Sequence, residues 1–500
     1  MNRNLLKLYW LGTLFLPFAL ISCAAVNHGP ELQSAVRTME QATGVSTSWA
    51  ALGEPQPLEP GEGGVVTLDS VAALTLSNNR ALRADLEVIG QAKADLVQAG
   101  LLSNPVLSLM GGLPEAGGRA SVAFGLSKDF SDLWLIPSRK RAAQAIVQQR
   151  VLSFTDTAIV LLTESKTNYY SLQYQSVAAD LQEQNLRILQ ESMEIAQARF
   201  RAGDTTQLDV NLIRARYVEA QLELLQVRSD YRVTQRTLLR LMGVSTAPDS
   251  WRPEPSKLDE APEPLGVDEP ALVEAALLQR LDVQASRWEL ESAVAEFEQQ
   301  RRRVIPSLTL GLSGERFERR AMPDRDIPAD TARASLASGK LTAPEIQSVA
   351  ERRKERRREI DFILGPSIEV PLPIFDQNQA QIAKAQFRAR ELQQRYEEVE
   401  QRVVEGVRSA FTQRRLAEER VRLYHDTLVP LQEANLALSQ TAYQSGRESI
   451  LTVLLAQESL IRTRLAYAAV ERDLAISAAN LERQLAGRLP EPALTPPPAP

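Results

Sequence analysis

Few residues in the chain have types and spacings that could do chemistry. Its 500 residues include one cysteine and two histidines. His28 lies in a polar N-terminal stretch and His425 stands alone in a helical one, so no thiolate or imidazole metal site is expected. Gly311-Leu312-Ser313-Gly314-Glu315 fails the nucleophile-elbow pattern at its last residue. The glycines between Gly61 and Gly64 lack the Lys-Ser/Thr that completes a phosphate-binding loop. Aspartates and glutamates are plentiful but scattered over expected helix surfaces. No convergent catalytic site, no cofactor and no enzymatic activity are expected.

The one chemically distinctive position is Cys23. Arg3 and Lys7 precede an apolar run from Leu8 to Ile21, broken by Gly12 and Pro17, which reads as a secretory signal over residues 1–22. The run is too short for a confident membrane span. Leu20-Ile21-Ser22-Cys23 resembles a bacterial lipobox, in which Cys23 becomes the acylated first residue of the mature chain. Each buried CH₂ of an acyl chain contributes roughly 0.8 kcal/mol, so several chains anchor a protein firmly.

Composition indicates the elements that surround this point. Charged residues make up 24% and aromatics 5%, a balance suited to long helices that pack on other helices. A net charge of −6 does not favour nucleic acid as a partner. Residues 23–64, rich in Pro and Gly near their end, read as an extended linker. Residues 244–267 read as a Pro-rich connector and 488–500 as a Pro-rich tail.

Between these stretches the chain repeats itself, with residues 65–243 as one unit and 268–487 as the other. Asn79-Arg80-Ala81-Leu82 aligns with Arg280-Leu281-Asp282-Val283, and Asn104-Pro105-Val106-Leu107 with Ile305-Pro306-Ser307-Leu308. Phe200-Arg201-Ala202-Gly203 aligns with Tyr443-Gln444-Ser445-Gly446, and Leu241-Met242-Gly243 with Leu485-Ala486-Gly487. The second copy carries an insertion over 315–361.

Each unit should begin with a helix, Thr67 to about Gly100 in the first copy. Period-two strands follow: Leu107 and Leu109, then Val122, Phe124 and Leu126, then Leu308, Leu310 and Leu312, then Ile368, Val370 and Leu372. Small or polar residues alternate with these apolar ones, which suits a strand with lipid on one side and water on the other. A half-buried strand of a soluble sheet gives the same period. Long helices are expected over 138–199, 205–241, 378–443 and 449–485, with turns at Gly203 and Gly446 folding them into hairpins. A sixty-residue helix extends roughly 90 Å. Leu208, Leu212, Ala215, Leu222 and Leu225 follow heptad-like spacing and call for neighbouring helices. Two units supply four strands, too few to close, and open edges are not viable in hydrocarbon. A membrane barrel from this chain therefore requires an oligomer.

Across residues 65–487 the sequence resembles the TolC-type outer-membrane efflux proteins, in their lipoprotein branch. The resemblance rests on the duplicated landmarks, on Val370-Pro371-Leu372-Pro373-Ile374-Phe375-Asp376 and on the turn Arg199 to Asp204. It implies a mainly α protein with a membrane β-barrel: a homotrimer whose twelve strands continue into an α-helical periplasmic tunnel. It also implies docking to a periplasmic adaptor and an inner-membrane pump through tips at Arg201, Ala202, Gly203, Ser445 and Gly446. The aspartates that constrict some relatives past the second tip align with Thr452 and Leu455. Asp209, which matches Thr452 in the first copy, is either a substitute gate or an ordinary helix-start carboxylate. Arg352, Arg353, Lys354, Arg356, Arg357 and Arg358 are either a solvated helix face or a contact for lipopolysaccharide phosphates. The competing functions are the outer component of a type I protein-secretion or metal-export system, and a pore-free coiled-coil adaptor lipoprotein of the periplasm.

Overall fold

The computed structural model describes residues 26–27, 29–47, 56–113, 120–203, 205–245, 251–255, 266–318, 327–341, 350, 360–445 and 447–487. In chain order the elements are α1 (Gly29–Thr43), β1 (Val65–Val66), α2 (Leu68–Asn78), α3 (Arg80–Ala99), β2 (Val106–Gly112), β3 (Ser121–Asp129), α4 (Asp132–Ala202) and α5 (Gln207–Leu241). The second half runs β4 (Arg252–Pro253), α6 (Glu269–Gln279), α7 (Leu281–Arg302), β5 (Thr309–Glu318), α8 (Ile327–Ser338), β6 (Ile360–Glu369), α9 (Gln379–Leu423), α10 (Val429–Gln444) and α11 (Ile450–Gln484). The chain divides into a helical unit (Met1–Leu96, Ala143–Ser292, Arg390–Pro500) and a strand unit (Val97–Ala142, Ala293–Ala389).

In the helical unit the helix expected from Thr67 to Gly100 is two helices. Asn79 leaves helical geometry, with ψ 124°, and its side-chain oxygen accepts the N–H groups of Ala81 and Leu82 at 2.9 and 3.2 Å. That cap starts α3, while Asn79 Nδ2 donates to the Leu241 carbonyl, 2.9 Å away. The aligned position in the second copy, Arg280, breaks α6 from α7 with nearly the same dihedrals, φ −63° and ψ 130°. Thus the duplication extends to the helix break, although the residue types differ.

Around these breaks lie separate apolar clusters. Leu76, Leu82, Ile89, Phe154 and Ala158 pack together, and Ala35 and Met39 of α1 are fully buried among them. The extended linker expected over 23–64 is therefore corrected over Gly29–Thr43: Leu32, Ala35 and Met39 recur at helical spacing and find an apolar surface on α3 and α4. Val66, Leu74, Tyr169, Leu172, Leu238 and Trp251 form a second cluster. There Tyr169 donates to the Val66 carbonyl at 2.9 Å and accepts the Glu254 N–H at 3.1 Å, pinning the parallel pair β1–β4. Burial pushes its phenol up to about 12. Leu272, Val283, Val407, Phe411 and Leu481 form the corresponding core of the second copy.

The helix expected over 378–443 is interrupted by a π-type turn at Tyr424–Leu428. Pro430 sits in the first turn of α10 and has no N–H to give, so the ladder relaxes just before it.

In the strand unit β2, β3, β5 and β6 form one antiparallel sheet in that order, with β2 and β6 at its edges. The last strand was expected to include Val370 and Leu372, but pairing with β5 stops at Glu369. Pro371 and Pro373 cannot donate to a ladder. The strands also extend into the expected insertion, to Glu318 on one side and from Ile360 on the other. At the start of α4, Asp132 accepts the Ser103 N–H at 2.6 Å and is paired with Arg139. Burial opposes ionisation there, but the bonds from Ser103 and Arg139 prevail and hold the carboxyl at about 2.

Two stability predictions follow from these contacts. Gly243 has φ +65°, and a Cβ there would lie 2.6 Å from the Asn78 carbonyl oxygen, whereas one on Gly90 in α3 would meet nothing within 4 Å. Gly243→Ala should cost about 1–3 kcal/mol, and Gly90→Ala should be neutral or gain about 0.5–1 kcal/mol, both read as shifts of the thermal midpoint in detergent. The depressed Asp132 carboxyl contributes stability that is complete above the ordinary aspartate range and lost as pH falls through about 2. Asp132→Asn should therefore remove about 2 kcal/mol near neutral pH. It should also flatten the loss of stability that the parent protein shows between about pH 4 and 2.

Candidate functional site

The sheet has two chemically distinct faces, fixed by register. One face carries the rows Leu109–Phe124–Gly314–Leu364 and Leu107–Leu126–Leu312–Pro366. Its apolar side chains are all exposed in the single chain. Phe124 stacks on Phe362 with centroids 5.8 Å apart, and Gly314 leaves room for the Phe124 ring, which a Cβ would meet at 2.6 Å. Lys128 shares its row at the helical end of this face with Leu310 and Ile368, and Arg316 shares the row at the other end with Val122 and Phe362.

The opposite face carries Ser108–Gly125–Ser313–Gly365 and Ser127–Gly311–Ser367, with Asp129–Thr309–Glu369 at the helical end. A Cβ on Gly311 would come 2.5 Å from Ser367 Oγ, so glycine lets the serine lie over the backbone. Apolar residues also occur on this face: Val106 beside Ser127, and Met110 and Ile363 in the row that holds Ala123 and Glu315. A sheet with hydrocarbon-compatible side chains on one face and serine, glycine and carboxylates on the other can separate lipid from water.

In the helical unit, Gly203 closes the first hairpin with φ +84°, its N–H donating to the Phe200 carbonyl at 3.1 Å. Arg201, Ala202 and Ser445 are exposed beside these turns. Arg199 lies 5.1 Å over the Tyr443 ring, tying the end of α4 to the end of α10. Past the turn, Arg216 bridges Glu219 at 3.0 Å and Glu458 of α11 at 3.8 Å. These residues border a cavity of about 310 Å³ whose apolar walls include Leu189, Leu212, Ile213 and Leu454. Sequence reading passed over these cross-helix pairs, because residues so far apart in the chain give no spacing signal.

Asp209 occupies the third position of a capping box. It accepts the Thr206 N–H at 3.1 Å and the hydroxyls of Thr206 and Thr205 at 2.7 and 2.9 Å, while Thr206 caps its backbone N–H. Those bonds, Thr206 first, lower its pKa. Its visible role is to start α5. Thr452, at the aligned position in α11, instead donates to Glu448 at 3.0 Å.

α5 has two apolar stripes. Val210, Ile213, Ala220 and Leu224 are buried within the chain, whereas Leu208, Leu212, Leu222 and Leu225 are exposed. A second exposed seam runs through Leu416 and Leu423 of α9 and Leu431 and Leu438 of α10. Its spacing is seven, eight and seven residues, and the eight spans the π-type turn. A regular helix would rotate a residue eight places on by about 80° from the stripe. The extra residue in the π-type turn absorbs that rotation and keeps the seam on one face. Leucines seven apart, with a proline inside the one eight-residue gap, were the available sequence signal.

Cys23, Gly446 and the basic run from Arg352 to Arg358 lie outside the described residues.

With this geometry in view, known proteins resemble the chain along most of its length. The outer membrane efflux protein family model matches residues 71–244 and again 272–487. The cobalt-zinc-cadmium resistance protein CzcC of Cupriavidus metallidurans is 21% identical over 435 residues, covering 86% of this chain and 92% of that protein. Among solved structures, CusC, described with its transmembrane channel formation, superposes with a TM-score of 0.65 at 18% identity, covering 86% of this chain and 95% of CusC. The Campylobacter jejuni CmeC outer membrane channel gives 0.66 at 14% identity, covering 84% and 85%. Two successive matches, one to each copy of the repeat, establish that the chain belongs to the outer membrane efflux protein family.

Proposed function

We propose that this protein is the outer-membrane exit channel of a tripartite efflux system, passing substrates from a periplasmic adaptor and inner-membrane pump to the exterior. The observation that carries this reading is the two-faced sheet with both edges open. In hydrocarbon every strand edge must be paired, so the β2 and β6 edges call for neighbouring copies. Three chains would close twelve strands. Their Ser, Gly and carboxylate face would line water and their Leu and Phe face would meet lipid. The exposed stripes on α5 and on α9–α10 suit the same assembly, since head-to-tail contacts between identical chains form a ring when the rotation closes. The helices then continue the wall as a periplasmic tunnel.

The remaining assignments belong to the same reading. Residues 1–22 are a signal peptide, and Cys23 is the lipid attachment. Residues 65–243 and 268–487 are the two efflux repeats. The turns at Arg201, Ala202, Gly203, Ser445 and Gly446 are the adaptor contacts. The similarity to a cobalt-zinc-cadmium resistance protein favours divalent cations as a cargo class. The duct offers them hard oxygen groups at Asp129, Glu315 and Glu369. Among the described residues no His/Cys/Asp/Glu group is arranged to hold a metal, so such ions would pass without being retained.

The purified protein should migrate as a trimer in detergent and give discrete single-channel conductance in a planar bilayer; a monomer without conductance would sink the proposal. Leu222→Glu combined with Leu438→Glu should shift the detergent species toward monomer, because each buries a charge in a helix seam. Gly203→Val forces a β-branched residue to φ +84°. It should abolish export in cells while trimer and conductance persist, and full export by that variant would remove the tip from adaptor docking.

A further inference from the structure

The buried stripe of α5 has one short side chain in it. Ala220, 3% exposed, stands between the longer Ile213 and Leu224. On the tip side, Ala196, Val210 and Ile213 close a small core with Met193 and Leu454. Next to that core the space is not filled. A cavity of about 310 Å³ opens there, lined by Ala220 and Ile213 of α5, Leu189 of α4, and Leu451 and Leu454 of α11. Its size is at the lower end of the range for small-molecule sites, about 300–1,000 Å³.

The border of this cavity is acidic: Glu219, Glu223 and Glu458 stand against one cation, Arg216. Arg216 is engaged with Glu219 at 3.0 Å and Glu458 at 3.8 Å, and Glu458 also accepts Arg462 at 2.6 Å. Glu223 is different. Its partner is a neutral amide, Gln182, whose Nε2 donates to Glu223 Oε2 at 2.8 Å. Gln182 is 4% exposed, and its own Oε1 accepts Asn185 Nδ2 at 3.4 Å. A buried glutamine thus holds the Glu223 carboxylate in place without neutralising it. The result is a fixed negative point at the edge of an apolar cavity.

The duplication supplies a comparison. In the register that sets Asp209 against Thr452, the second copy has Ser459, Arg462 and Ala466 where the first has Arg216, Glu219 and Glu223. The second copy therefore builds the corresponding arm, α11, with no acid at these places. Packing of the arm does not demand them.

We propose that this groove is a binding site for an amphipathic organic cation, whose apolar body lies on Leu189, Ile213 and Leu454 and whose charged end meets Glu223. An anion of the same shape would face three carboxylates, and a neutral body would leave Glu223 without a counter-charge. The site is built within one chain and does not rest on the channel reading. Because α4 and α5 belong to one copy of the repeat and α11 to the other, its occupant ties the two copies together.

Dansylcadaverine, a fluorescent apolar body with one terminal ammonium, tests this, with dansylglycine, the same body with a carboxylate, as control. Both are titrated into the full chain in detergent, and the signal of matched protein-free micelles is subtracted. The cation should bind saturably, one per chain, and several-fold more tightly than the anion. Glu223→Gln should weaken it about tenfold, the loss of one charge-assisted hydrogen bond. Glu419→Gln, on an exposed part of α9, should leave it unchanged. Ala220→Leu fills the cavity and should remove binding. Since a ligand of the folded form stabilises it, the parent's thermal midpoint should rise with probe concentration, and that of Glu223→Gln should rise less. Equal binding of the two probes, or undiminished affinity in Glu223→Gln, would overturn the proposal. Binding retained by a folded Ala220→Leu would place the probe in the duct or the micelle and overturn it too. No saturable binding by the parent protein would do the same, leaving the groove to solvent or to a neighbouring chain. None of these outcomes touches conductance, which tests the channel reading separately.

Discussion

The structure depends on one constraint: a backbone amide facing hydrocarbon must be hydrogen-bonded to another backbone. The four-stranded sheet meets this for its inner strands, β3 and β5, each paired on both sides, and leaves the outer edges of β2 and β6 open. Everything else in the strand unit is consistent with completion by another chain. Leu107, Leu109 and Phe124 are exposed in a single chain, as the proposed lipid-facing wall requires. On the other face, small residues keep the wall thin: Gly125 would bring a Cβ within 2.7 Å of Ser108 Oγ. A soluble sheet would place its second apolar layer where these serines lie.

Much of this was legible because it is local. Strand alternation is a period-two signal, and the pairs Leu107 with Leu126 and Leu126 with Leu312 fall where that alternation puts them. The turn at Gly203 was legible because a left-handed residue ending a helix favours glycine. The helix break at Asn79 was not. An asparagine within an apolar helical pattern reads as tolerated, and its role depends on Leu241, 162 residues away. The helix α1 was hidden in the same way. Its Ala35 and Met39 are apolar at the right spacing, but what buries them is Phe154 and its neighbours on α4. Sequence periodicity says that a face is apolar, and only the partner element says whether that face is covered.

Asp209 shows the limit from the opposite direction. A carboxylate past a tight turn near a tunnel mouth fits both a pore ring and a helix cap. The bonds to Thr205 and Thr206 satisfy the second role, which neighbours within four residues suffice to build. A pore role depends on three chains together, so no property of one chain's sequence signals it. The cross-helix pairs Arg199–Tyr443 and Arg216–Glu458 are in the same position, since their members belong to different copies of the repeat.

The duplication explains why such differences are tolerated. Gly243 and Gly487 both end a long helix with positive φ, and in both a Cβ would strike a carbonyl oxygen, that of Asn78 in one copy and Ala42 in the other. The backbone requirement is shared, but the partner is not. Asn79 and Arg280 likewise share a break geometry, one holding it with a capping amide and the other with an Arg280–Asp282 ion pair at 2.6 Å. What the two copies hold in common is therefore the path of the chain, which the proposed ring of three chains would require of its six repeats. The side chains that enforce the path are free to diverge. The π-type turn before Pro430 fits this logic: a proline that breaks the ladder is kept compatible with the path by one added residue, and the leucine seam stays in phase across it.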